Sequence, residues 1–305
     1  MHVLVTGASG HIGSAVVPEL LRAGHTVLGL ARSDASASAL QAAGAKVVRG
    51  DLDDLDGLRK AAAGADGVIH LAYKHELALS GSPDGFVKAA EYDLRVTGAL
   101  GDALAGSNRP LVTTSGTALL AHANLGRTGT EGDTLPGGPR IDAENATIAL
   151  ADRGVRASVI RLAPTVHSSL DRHGFVPSLV GMARKNGFSA WVGEGDNRWP
   201  ALHTLDAAEL YRLALDKAPA GTRLHGAAEE GVAFREIAEA IGRGLGLPAR
   251  SISKDDAPKY LGFLGGFAQL DNPTSNARTR ELLGWEPTHP GLLADMAEAH
   301  YFARP

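Results

Sequence analysis

The chain has 305 residues, 44% of them hydrophobic, with a formal charge of −4 at neutral pH. That length accommodates one large α/β domain or a domain with a smaller lobe, and the slight acidity offers no basic face to nucleic acid. With no cysteine, disulfides, thiolate catalysis and cysteine-held metals are excluded.

His2–Thr6 is an aliphatic, β-branched run that leads into Thr6-Gly7-Ala8-Ser9-Gly10-His11-Ile12-Gly13. An amphipathic segment follows (Ile12, Val16, Val17, Leu20, Leu21), then a second apolar run from Thr26 to Leu30. Strand, glycine turn, helix and strand make one right-handed βαβ unit. Gly7 permits the tight turn, Gly10 lets the backbone approach a pyrophosphate, and Gly13 lets the helix pack on the strand. The phosphates of a dinucleotide are expected on the turn formed by Gly7, Ser9, Gly10, His11, Ile12 and Gly13, at the helix N-terminus.

The end of the second strand bears on which dinucleotide. An NAD site places a carboxylate there for the ribose 2′-hydroxyl, but this chain reads Leu30-Ala31-Arg32-Ser33 before Asp34. Arg32 offers a fork for a 2′-phosphate and Ser33 a hydroxyl beside it, with Asp34 as a competitor. NADP(H) is the expected cofactor.

The βα rhythm continues. Helix-like stretches at Ala35–Ala43, Leu55–Ala63, Glu91–Ala105 and Asp142–Arg153 alternate with strands at Lys46–Arg49, Gly67–Leu71, Pro110–Ser115 and Arg156–Leu162. Each of these helices, like the first, finishes at a glycine (Gly24, Gly44, Gly64, Gly106, Gly154), which predicts left-handed C′ residues. Such alternation predicts a doubly wound parallel Rossmann sheet. After Leu162 the rhythm breaks. Residues 1–165 plus about 201–228 are expected to form the NADP-binding domain, and about 166–200 plus 229–305 a smaller C-terminal substrate lobe. In that lobe Trp191, Arg198, Trp199, Phe263 and Phe267 are candidate lining residues, each also suited to a core. No apolar run approaches the ~20 residues of a membrane span, and a first strand at His2 leaves no room for a signal peptide, so a soluble cytoplasmic protein is expected.

With these motifs in place the sequence resembles the extended short-chain dehydrogenase/reductases, the NAD(P)-dependent epimerase/dehydratase group. The resemblance rests on Thr6–Gly13, Gly50-Asp51-Leu52, His70-Leu71-Ala72 and Thr114-Ser115-Gly116-Thr117. It continues through Arg161 to His167, Trp199 to Asp206, and Leu283-Gly284-Trp285-Glu286-Pro287. It implies that Asp51 and Leu52 touch the adenine, that Ala72 lies near the nicotinamide ribose, and that His70 points into packing. Asp51 also reads as a plain helix N-cap. The resemblance leaves open a homodimer through helices flanking the sheet.

One departure is plain. The family's Tyr-x-x-x-Lys pair is missing: the tyrosines stand at 73, 92, 211, 260 and 301, none with lysine four residues on, and 118–153 contains neither residue type. Arg140 and Glu144 stand in its place with the same spacing, as in the atypical branch of the family. Arg140 suits an electrostatic clamp on a developing oxyanion. Glu144 suits ribose hydroxyls or, if buried, proton transfer. The alternative for both is an exposed helical ion pair. Ser115 or Thr117 is the candidate hydroxyl at the end of the fifth strand. Tyr73 (with Lys74 or His75 beside it) and His122 are candidate proton donors, and His167 ends the sixth strand at the edge where α/β ligands bind. No histidine spacing suggests a metal. Expected function is hydride transfer between NADP(H) and a carbonyl, hydroxyl or imine of a small organic molecule. The alternatives are a non-catalytic NADP-binding redox sensor and a nucleotide-sugar epimerase or dehydratase.

Overall fold

The first strand, β1 (His2–Thr6), is buried over Val3–Thr6, and its side chains alternate between two cores. Val3 and Val5 join one cluster, and Leu4 joins the other. A strand covered on both faces reads as a continuous apolar run. The computed structural model describes residues 1–82, 84–123, 125–298 and 300–303. After β1 come α1 (Gly13–Arg22), β2 (Thr26–Ala31), α2 (Asp34–Ala42), β3 (Lys46–Arg49), α3 (Leu55–Ala63) and β4 (Gly67–His70). Then follow α4 (His75–Ala78), α5 (Gly85–Leu104), β5 (Pro110–Gly116), α6 (Ala118–Ala121), α7 (Ile141–Ala149) and β6 (Arg156–Leu162).

The chain continues through β7 (Thr165–His167), α8 (Phe175–Asn186), β8 (Ser189–Val192), β9 (Arg198–His203), α9 (Thr204–Lys217) and β10 (Thr222–Gly226). β11 (Glu229–Ala233), α10 (Phe234–Leu245) and β12 (Ala249–Ile252) complete the two small sheets.

Seven strands form one sheet in the order β3-β2-β1-β4-β5-β6-β10, all pairings parallel. The order reverses between β1 and β4, and such a switch point opens a crevice at the strands' C-terminal ends. Helices α1 and α9 pack together on one face, and α3, α5 and α7 on the other. A third core belongs to the smaller sheets β11-β9-β7 and β12-β8 and holds Val176, Leu179, Trp199, Phe234 and Ile237. Among the described residues no helix is long and apolar enough to cross a membrane.

Two local expectations are corrected. Helix α5 starts at Gly85, well before Glu91, because Ala89 and Ala90 are buried on its inner face. Of the five helix-ending glycines, Gly24, Gly44, Gly106 and Gly154 have positive φ. Gly64 closes α3 at φ −85, so α3 ends without a left-handed residue.

Among the expected lining residues, Trp199 is core, its ring 4.7 Å from Phe234. Arg198 is spent on a forked ion pair with Asp271, at 3.0 and 2.8 Å. Phe263 and Phe267 pack around Phe175.

Candidate active site

The glycine turn is shaped so tightly that side chains are excluded. Gly7 has φ +66, and a Cβ there would lie 2.7 Å from the Ala72 nitrogen; at Gly13 a Cβ would lie 2.2 Å from the Gly7 carbonyl oxygen. Helix α1 begins with no side-chain cap and no acidic residue in its first turn, so no side chain competes with an anion at its N-terminus. Ser9 and Gly10 are exposed at the tip of the turn. A cradle that a methyl group would fill, facing an uncapped helix, fits a dinucleotide pyrophosphate.

At the end of β2, Arg32 is exposed, with Glu76 3.6 Å away. Ser33 caps α2, its hydroxyl accepting from the Ser36 N–H at 3.2 Å. Asp34 is paired with Arg49 at the end of β3. Asp51 accepts from the Asp53 N–H at 3.1 Å, while the cap of α3 is Asp54, accepting from Gly57 at 2.9 Å. Leu52 packs on the core beside Leu30 and Val48.

Beyond β4, His70 is buried between the Thr6 hydroxyl (2.6 Å) and Asp93 (3.3 Å). The Thr6 hydroxyl also accepts from the Ala72 N–H at 3.3 Å. Next in the chain, Tyr73 presents its ring to the Arg140 guanidinium, 4.1 Å from the ring centre, and its hydroxyl is buried with no acceptor among the described residues. Burial raises the Tyr73 pKa, and Arg140 opposes that rise. His75 stands edge-on to Tyr73 at 5.0 Å; burial and then Arg140 push its pKa down. Lys74 is held by Asp53, 2.7 Å away.

Arg140 caps α7 at φ 65, ψ −27 and donates from Nη2 to the Thr114 carbonyl at 2.9 Å. Its spacing from Glu144 is that of a helical pair, but only Glu144 lies within the helix, so the two side chains diverge. Glu144 accepts from Arg161 at 3.0 and 2.5 Å and from Arg223 at 2.8 Å. Burial would raise the Glu144 pKa. The two guanidiniums, with the Ser115 hydroxyl beside them, outweigh it and hold the carboxyl below its ordinary value. Neither the shared face towards the nicotinamide nor the exposed ion pair expected from spacing is what forms.

Strand alternation decides the hydroxyls. Thr113 bonds Thr147 of α7 at 3.0 Å, and Ser115 lies on that same side beside Glu144. Thr114 turns the other way, to the Tyr211 hydroxyl at 2.7 Å. Thr117 is buried against the Asn272 side chain at 2.9 Å, and His122 is exposed at the end of α6. Of the six catalytic candidates, the structure brings Tyr73 and Arg140 together and commits Glu144 and Thr117 to protein partners, while the Ser115 hydroxyl is buried on the α7 side of β5. His75 joins the first pair, and its position two residues after Tyr73 was the signal for it. Arg223 and Tyr211 had no sequence signal, being joined to the site only by tertiary pairing.

A second polar group lies where the glycine turn meets the lobe. His11 bonds the Thr204 hydroxyl at 2.8 Å and lies 3.8 Å from Asp171. His167 ends β7 in the small sheet, not a strand of the large one; it is buried on Asp295 at 2.9 Å. Among the described residues His203, Asp206 and His289 place ligand atoms within 4.8 Å of one another, a grouping that sequence spacing did not reveal. Asp206 already accepts from Thr288 and His289 N–H groups and from the His289 ring, so protein donors fill the carboxylate.

The histidines set the acid response. Burial, with His167 nearby, pushes His11 down from 6.5 to about 4, and burial does the same to His225. Groups depressed in the fold stabilise it above 6.5 and lose that contribution as pH falls through about 4. Asp171, raised by burial to about 6, works in the opposite sense. A net loss of ~2–4 kcal/mol between pH 6.5 and 4 is expected, read from urea midpoints at the two pH values. A flat profile would mean that the histidines are protonated in the fold.

Comparison with known proteins agrees with this geometry. Residues 3–133 match the model of the NAD dependent epimerase/dehydratase family. An uncharacterized protein of Schizosaccharomyces pombe is 46% identical over 99% of this chain and 100% of its own length. One of Saccharomyces cerevisiae is 41% identical over 97% and 98%. Among solved structures, a dTDP-glucose 4,6-dehydratase from Streptomyces venezuelae with NAD bound superposes at a TM-score of 0.78. Its identity is 20%, over 99% of this chain and 97% of that one, a likeness of fold. By sequence and by architecture, the chain belongs to the NAD-dependent epimerase/dehydratase family.

Proposed function

We propose that the chain is an NADP(H)-dependent oxidoreductase acting on a carbonyl, hydroxyl or imine group of a small organic molecule. The observation that carries this reading is the Arg140–Tyr73 pair. Among the described residues no carboxylate meets the guanidinium and no acceptor meets the Tyr73 hydroxyl, and Tyr73 follows Ala72, against which the dinucleotide cradle closes. The bound nicotinamide would supply or accept the hydride. The protein's share is to hold the cofactor on the glycine turn, to stabilise charge on the reacting oxygen with Arg140, and to hold the transferable proton on the Tyr73 hydroxyl. For NADP over NAD, the supporting feature is Arg32 exposed at the end of β2, with Asp34 drawn off by Arg49.

The test is nucleotide oxidation by purified protein across ketones, aldehydes and imines, with NADPH and NADH in parallel. Turnover favouring NADPH supports the reading. Tight NADPH binding with no turnover on any member would favour the sensor. Arg32→Ala is expected to weaken NADPH binding by about tenfold or more, the worth of a charge-assisted contact, and to leave NADH unchanged. Equal losses for both nucleotides would remove Arg32 from the discrimination.

A further inference from the structure

The dominant feature of the cleft is an excess of donors. Of the arginines near this sheet, Arg161 and Arg223 share Glu144, Arg212 is held by Glu19, and Arg109 and Arg156 each donate to several backbone carbonyls. Arg140 is half-buried, yet among the described residues no carboxylate reaches it. Its Nη2 donates to the Thr114 carbonyl, and one face lies on Tyr73. Asp93, whose charge is felt by both Tyr73 and His75, is engaged by His70. The Tyr73 hydroxyl adds a buried donor without an acceptor.

Strain points the same way. Among the described residues Arg140 and Asn108 are the only non-glycines with positive φ. Asparagine tolerates that conformation, whereas an arginine there costs on the order of 1 kcal/mol. The strain turns the guanidinium away from the face of α7 that holds Glu144 and onto Tyr73.

A single carbonyl oxygen would satisfy one of these donors and leave the positive charge unmatched in a half-buried site. A carboxylate supplies two coplanar oxygens and a full negative charge, which is the complement of a guanidinium fork. We propose that the substrate of this site is an oxo acid or the corresponding hydroxy acid. Its carboxylate would be held by the Arg140 guanidinium, and its reacting oxygen would sit between the Tyr73 hydroxyl and that same guanidinium. The inference rests on the oxidoreductase reading for its chemistry but not for its binding. In the reducing direction the bound nicotinamide would supply a hydride to the carbonyl carbon, and the C=O π pair would move onto oxygen. That oxygen would take the Tyr73 proton, and the phenolate would be reprotonated from solvent past His75.

The test uses the full chain with NADP+ or NADPH and two kinds of probe. Binding of 3-oxobutanoate and of the unreactive dicarboxylate malonate is measured by calorimetry, and turnover of 3-oxobutanoate is compared with that of its methyl ester. Wild-type protein is expected to bind the carboxylates and to prefer the acid over the ester by about 10- to 150-fold, the range for a charged hydrogen-bonded contact. Arg140→Gln should abolish both carboxylate binding and the preference. Arg140→Gly, which relieves the backbone strain, serves as a second variant should the first fold poorly. Absence of carboxylate binding in wild type, or binding that survives both variants, overturns the proposal. Carboxylate binding lost in the variants, with no turnover of any probe, would uphold the anion site and count against the oxidoreductase reading. Turnover of the ester alone would do the reverse.

Discussion

Glu144→Gln is expected to destabilise the fold by about 3–5 kcal/mol, the cost of removing one partner from a buried ion pair. The carboxylate receives both arms of Arg161 and the Nε of Arg223, and Arg161 and Glu144 are both buried. Glutamine preserves the shape but removes the charge, and its amide NH2 turns a donor towards guanidiniums that can only donate. Two cations are then left in the sheet-helix layer without a counter-charge. The pH dependence has a definite sign. The Glu144 pKa is held below 4.5 in the fold, so its stabilisation is present above that value and is lost as pH falls through the folded one. The variant should therefore lose part of the wild-type acid sensitivity as well as its urea midpoint. Because the carboxylate is spent on these arginines, turnover per folded molecule and NADPH affinity should stay near wild type. Unchanged stability with a selective loss of turnover would instead place Glu144 in the reaction.

The parts of this architecture that were legible in the sequence are those set by local rules. The apolar run of β1, the spacing of Gly7, Gly10 and Gly13, and the repeating βα units follow from backbone geometry and from the local pattern of burial. The candidate site was harder because the contacts that decide which side chains reach it are distant in the chain. Glu144 meets Arg223 79 residues away, and His167 meets Asp295 128 away. The Arg140–Glu144 spacing misled for a local reason as well. Residues four apart share a face only when both have helical backbone angles, and Arg140 at φ 65 does not. The directions of Ser115 and Thr117 were hidden for a related reason: register at the end of β5 turns one towards α7, and the other lies against Asn272.

Arg140→Gly is the substitution in which stability and activity are expected to move in opposite directions. Glycine adopts the φ +65 conformation without penalty, so the variant removes a strained arginine from the cap of α7 at the loss of one bond to the Thr114 carbonyl. The fold should keep its stability within about 1 kcal/mol, and the relief of strain favours a gain. Catalysis should suffer far more. A pre-placed donor beside developing negative charge is worth about 10²–10³ in rate, and Tyr73 loses the cation over its ring at the same time. Removing that cation also lets the Tyr73 pKa rise further, since Arg140 opposes the effect of burial, which makes the phenol a weaker acid. Urea unfolding and single-turnover oxidation of NADPH, measured on the same preparation, separate the two effects. A stable variant with turnover reduced ~10²-fold or more would identify Arg140 as a residue strained for chemistry. A variant that loses stability and keeps its turnover per folded molecule would make Arg140 a piece of the scaffold, holding the end of β5 to the start of α7, and would leave Tyr73 and His75 to carry the reaction.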